Sequence, residues 1–110
     1  MTAAKYNEKQ IDRGRRKLRK AQAWRKANPE AYGYAVGIAI DQARKGQPIS
    51  ARELVDAVRR KAFTDGESGQ DARPDNNYAA IWARWIATEH PETARYIKCR
   101  KTVFDVLVVA

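Results

Sequence analysis

Residues 76–90 read NNYAAIWARWIATEH. At about 100° per residue, Tyr78, Ile81, Trp82, Trp85 and Ile86 fall within roughly 140° of one another. Such an aromatic and aliphatic face predicts a helix that begins near Asp75–Asn77, ends before Pro91 and packs at the centre of the fold. Opposite it lie Asn76, Asn77, Ala80, Ala83, Arg84 and Ala87. Those small residues leave room for another backbone or a nucleic-acid groove, and the spacing predicts that this side is exposed.

Upstream, Ser50 and Glu53 have capping-box spacing, with Ile49 and Leu54 at the staple positions around them. They start a helix that carries Leu54, Val55, Val58 and Ala62 on its apolar face and closes at Phe63. Before it, Asn28-Pro29 punctuates the chain. Asn28 suits a cap and Pro29 a first turn, so a helix runs from there to about Lys45, with Tyr32, Val36, Ala39, Ile40 and Ala43 on one face. Gly46 is its C-cap, and Pro48 lies just beyond. Residues 64–76 contain two glycines, a proline and four carboxylates, which predicts a loop.

The C-terminal stretch from Ala94 reads two ways. Ile97, Phe104 and Leu107 can share a helical face. Residues 102–109 are also rich in β-branched side chains, which allows a hairpin turning at Arg100-Lys101. The expected fold is therefore mainly α. A compact helical domain of three to four helices spans residues 29–110, with room for a C-terminal β-hairpin in winged-helix order. A basic N-terminal helix or arm, residues 1–28, precedes it.

Charge separates those two parts. The 110-residue chain carries +9. Residues 1–28 hold ten basic side chains against two acidic ones, a net of +8, and leave +1 for the remainder. From Tyr6 to Ala27 good helix formers dominate around the thin apolar stripe of Ile11, Leu18, Ala21, Ala23 and Trp24. On a helix, Lys9, Arg13, Lys17 and Lys20 share one side with Arg16 beside them. Such a row attracts phosphates, and counterion release supplies the free energy. Trp24 next to Arg25 and Lys26 offers a stacking surface beside charge, which suits single strands or RNA. Asn76, Asn77 and Arg84 are side chains of the kind that pair with adenine and guanine, and the two asparagines lie at a helix N-terminus.

Other chemistries find little support. One cysteine, Cys99, precludes an intramolecular disulfide, and together with the single histidine, His90, it cannot build a zinc site of the usual kind in a monomer. There is no phosphate loop before a lysine. The carboxylates Asp65, Glu67, Asp71 and Asp75 lack the spacing of an EF-hand. No catalytic residue, metal or cofactor is expected, and the protein is read as non-enzymatic. Without a leader-like or membrane-spanning apolar run, the expected location is cytoplasmic, with no membrane partner.

Pro48-Ile49-Ser50-Ala51-Arg52-Glu53-Leu54-Val55 and Asn76-Asn77-Tyr78-Ala79-Ala80-Ile81-Trp82-Ala83-Arg84-Trp85 resemble small prophage-encoded proteins of helix-turn-helix or winged-helix type. The resemblance spans roughly residues 30–105. It implies a phage or mobile-element origin for what the basic segment marks as a nucleic-acid-binding protein; in the winged-helix order, Arg52, Arg59 and Arg60 flank the phosphates. About a dozen residues separate the two helices, where a compact helix-turn-helix has a turn of about four. The alternative is a small phage counter-defence inhibitor, of the kind that blocks CRISPR effectors, bound to a host protein complex that handles nucleic acid. The apolar end, Val106 to Ala110, would serve such an interface, or a homodimer.

Overall fold

A computed structural model describes residues 6–61, 63, 73–99 and 102–107, with the backbone alone at Val106. Four helices and one short helical turn make up the described chain: α1 (Glu8–Ala27), α2 (Pro29–Arg44), α3 (Ala51–Lys61), α4 (Ala79–Glu89) and α5 (Phe104–Leu107). Two 3-10 turns, Asn76–Tyr78 and Pro91–Thr93, flank α4.

α4 is the hub. Every residue from Ile81 to Ile86 is buried, Ile81, Trp82 and Ile86 completely. Its mixture of tryptophan, isoleucine and alanine is apolar nearly all round, and a helix of that kind must be covered on all sides. Tyr32 of α2 meets the Trp82 ring edge-on at 5.5 Å, and Trp24 of α1 meets it from another direction at 5.4 Å. α3 packs its buried face of Leu54, Val55 and Val58 against α4 and α2. Of the expected exposed side of α4, Ala83 and Arg84 are buried, Ala80 and Ala87 half-buried, and Asn76 and Asn77 exposed. Its alanines admit a close neighbour, and that neighbour is the protein's own chain: α3, with α5 beyond it.

Local signals explain the boundaries. Ser50 Oγ accepts the Glu53 N–H at 3.2 Å and starts α3. Gly46 takes φ of 68°, the left-handed conformation that ends α2 without a Cβ penalty. Asn28 differs from expectation, because its side chain makes no cap bond to α2. Its Nδ2 donates to the Trp24 carbonyl at 2.9 Å, so it closes α1 instead. The buried Thr93 hydroxyl donates to the His90 carbonyl at 2.7 Å and seals the end of α4.

The winged-helix expectation is overturned. Among the described residues there is no strand; Ile49 and Ile97 form one isolated parallel bridge. Where the wing would lie, Phe104–Leu107 is helical. Thr102 and Asp105 cap this turn reciprocally: Thr102 Oγ1 accepts the Phe104 N–H at 3.2 Å, and Asp105 Oδ2 accepts the Thr102 N–H at 2.8 Å. This capping, together with Phe104 seated in the core at 7% exposure, outweighs the β-branched composition. The proposed hairpin turn at Arg100-Lys101 and the apolar Val108–Ala110 lie outside the described residues, as does most of the 64–76 loop.

Candidate functional site

α1 carries the charge, and its placement decides what that charge can do. Asn7 and Gln10 form a reciprocal capping box, each side chain accepting the other's backbone N–H at 2.9 Å. From there one face turns inward. Ile11, Gly14, Leu18, Ala21 and Arg25 recur at three- and four-residue steps, with Gly14 and Ala21 buried and the others half-buried. α1 is thus held on the same core as the other helices.

Its last turn is the strongest anchor. Both terminal nitrogens of Arg25 donate to the Glu89 carboxylate at 2.7 Å. The guanidinium also lies 4.1 Å from the Tyr32 ring centre and 5.0 Å from that of Trp85. The bond to Glu89 raises the Arg25 pKa further above its usual range, while partial burial works the other way. Next to it, Trp24 packs on Trp82 and, at 6.3 Å, on Tyr78. These two residues were expected to face a ligand. They instead fasten α1 to α2 and α4.

The solvent side of α1 is a different surface. Lys9, Arg13, Arg16, Lys17 and Lys20 are all exposed. At about 100° per residue they lie within roughly 100° of one another, directed away from the buried stripe. With a rise of about 1.5 Å per residue they extend over roughly 16 Å. Lys26, also exposed, continues the positive surface toward the C-terminal end of the helix.

The three residues read from α4 part company. Asn76 and Asn77 are exposed in the turn ahead of the helix, where Asp75 Oδ1 accepts the Asn77 N–H at 2.8 Å. That turn packs on α1 near its C-terminal end, where Tyr78 meets Trp24. Arg84 is only 7% exposed. Its Nε donates to Asp105 Oδ1 at 2.8 Å and its Nη1 to the Ala80 carbonyl at 2.6 Å. It is a structural tie between α4 and α5 and is nearly closed off from solvent. Sequence spacing missed this because the partner lies 21 residues further on. Arg59, expected beside phosphates, donates to the Pro74 carbonyl at 2.8 Å, whereas Arg52 and Arg60 are exposed.

A concavity of about 600 Å3 lies between the start of α3, the alanine side of α4 and Lys98, Cys99 and Thr102. Arg52 and Lys98 stand at it, with Arg84 already bonded to Asp105. Among the described residues no group of three or more His, Cys, Asp or Glu side chains is placed to hold a metal ion. No described helix is long and apolar enough to cross a membrane. The chain matches no family model, no curated protein and no solved structure.

Proposed function

We propose that the protein binds nucleic acid without catalysing a reaction, and that the exposed face of α1 makes the phosphate contacts. One observation carries this: Lys9, Arg13, Arg16, Lys17 and Lys20 lie along one exposed face of a helix whose opposite face is locked into the core. The charge is therefore presented by a helix packed on the core.

The dimensions agree with the role. Five cations over roughly 16 Å match about five successive phosphates at ~3.4 Å of axial rise per strand. Cations so placed displace condensed counterions, and the gain is entropic and falls with added salt. Phosphate contacts position a ligand but do not read its sequence. Asn76 and Asn77, exposed in the turn that packs on α1, are the side chains left to contact bases, while Arg84 is committed elsewhere.

Location of charge is separable from amount of charge. Arg13, Lys17 and Lys20 changed together to Gln should abolish most binding of a labelled oligonucleotide at moderate salt. Arg44, Arg52 and Lys98, also exposed, changed to Gln remove the same charge elsewhere and should have a small effect. Equal losses from both variants would mean that only net charge matters. No binding by the wild-type chain at low salt would remove the proposal and leave a protein target as the reading.

A further inference from the structure

α1 offers more than charge. Beside its first turns a concavity of about 250 Å3 opens between the helix and the C-terminal segment, lined by Tyr6, Arg13, Gly14, Lys17, Val103 and Phe104 among others. Its composition is divided. Gly14, Val103 and Phe104 are apolar; Gly14 and Phe104 are buried, and Val103 is half-buried where the C-terminal segment lies against α1. Tyr6 is half-buried and lies outside the hydrophobic core cluster, so its ring is not used to hold that core together. Arg13 and Lys17, both exposed, are two members of the basic row.

An apolar recess walled by an aromatic ring and flanked by two cations complements a nucleobase on its phosphodiester backbone. The base supplies a π-face for the ring, and the phosphates on either side meet the cations. A paired base within a duplex has both faces covered by its neighbours and must be extruded before it can enter such a recess. An unpaired base enters without that cost.

We infer that this recess takes one unpaired nucleobase of a single strand, with Tyr6 as the stacking surface and Arg13 and Lys17 on the flanking phosphates. The inference rests on the phosphate-binding role of α1 and adds a preference for single strands. Stacking of this kind tolerates any base, so the site selects strandedness more than sequence.

The test compares full-length protein on three labelled ligands at one salt concentration: an oligothymidylate of about a dozen nucleotides, an abasic strand of equal length and charge, and a duplex. Wild type should prefer the thymidylate over the abasic strand by roughly fivefold to a hundredfold, the range for one stacked base. Tyr6→Leu should bring that ratio close to one while leaving the salt dependence on the abasic strand unchanged, and Tyr6→Phe should keep the ratio. A wild-type ratio of one overturns the base site and leaves phosphate binding standing, provided the abasic strand is still bound in a salt-dependent way. A ratio that survives Tyr6→Leu also overturns it. Absence of binding to all three ligands at low salt overturns both the site and the function beneath it. Should Tyr6→Leu fail to fold, the wild-type ratio alone decides.

Discussion

A Cβ built on Gly14 would lie 2.8 Å from Val103 Cγ1, and at the same distance from Leu107 Cδ1. The absent side chain is what lets the C-terminal segment lie against α1. Val103 is β-branched and stiff at χ1, so it cannot simply swing aside. Gly14→Ala should therefore destabilise the protein by up to about 2 kcal/mol. That is the overpacking cost less the ~1 kcal/mol that alanine gains in helix propensity. A denaturant titration decides: a variant more stable than wild type would show that the segment does not press on α1.

Arg84→Ala should cost about 2–3 kcal/mol, because it removes a charge-assisted bond to Asp105 and strands part of that carboxylate at the junction of α4 and α5. Asp105 is partly exposed, which keeps the loss below that of a fully buried pair. Oligonucleotide binding at a temperature where the variant is folded should be close to wild type. A normal melting temperature with lost base preference would return Arg84 to the ligand surface.

Tyr32 sets the alkaline limit. Its hydroxyl is buried with no hydrogen-bond partner among the described residues. Burial pushes the phenol well above its ordinary value of 10.0; the nearby Arg25 charge opposes that, and Glu89 adds to it. Tyr78 moves the same way through burial and the Asp75 charge. A raised folded-state pKa means that above pH ~10 the unfolded chain releases a proton that the native state keeps. Stability should be level from pH 7 to 9 and then fall by up to about 1.4 kcal/mol per unit for each such tyrosine. Tyr32→Phe should flatten part of that decline. At neutral pH it should match or exceed wild type by up to ~1 kcal/mol, since a buried unpartnered hydroxyl is removed. Urea titrations at several pH values check this, and an unchanged alkaline limb would place the Tyr32 hydroxyl in contact with water.

Ser50→Ala should lower stability by about 1 kcal/mol through loss of the bond that starts α3, and should leave binding to α1 untouched. Equal melting temperatures for variant and wild type would show that the Ser50 bond does not hold the helix end.

Much of this fold is local and therefore legible in the residues themselves. The Ser50 cap of α3, Gly46 after α2 and the Trp-rich face of α4 each act within a few residues, and each is where spacing puts it. The Arg84–Asp105 and Arg25–Glu89 pairs join residues 21 and 64 positions apart, and no periodicity reports them. One signal was present and stronger than the stripe first drawn. The steps Ile11, Gly14, Leu18, Ala21 and Arg25 trace the buried face of α1 and put Arg25 on it; Trp24 shares the helical angle of the basic row and is half-buried only because Trp82 and Tyr78 reach it, which no spacing reports. Likewise Thr102 and Asp105 have the spacing of a helix start, which argues against a wing. For the candidate site, the row from Lys9 to Lys20 was readable because charge on a helix needs only the 3.6-residue period, whereas the recess beside Tyr6 depends on how α5 returns to α1.

Five cations on one face of α1 are assigned to phosphates, and the salt dependence of binding measures that number most directly. Between 50 and 200 mM salt, log Kobs against log salt concentration should be linear, with a slope near −4.5 for a duplex and about −3.5 for a single strand. Changing Lys9, Arg13, Arg16, Lys17 and Lys20 to Gln should remove most of the slope, leaving what the exposed Arg15, Arg19 and Lys26 contribute, in a protein that still melts cooperatively. A wild-type slope shallower than about −1, or a slope that the five substitutions leave in place, would contradict the assignment of phosphate contacts to α1.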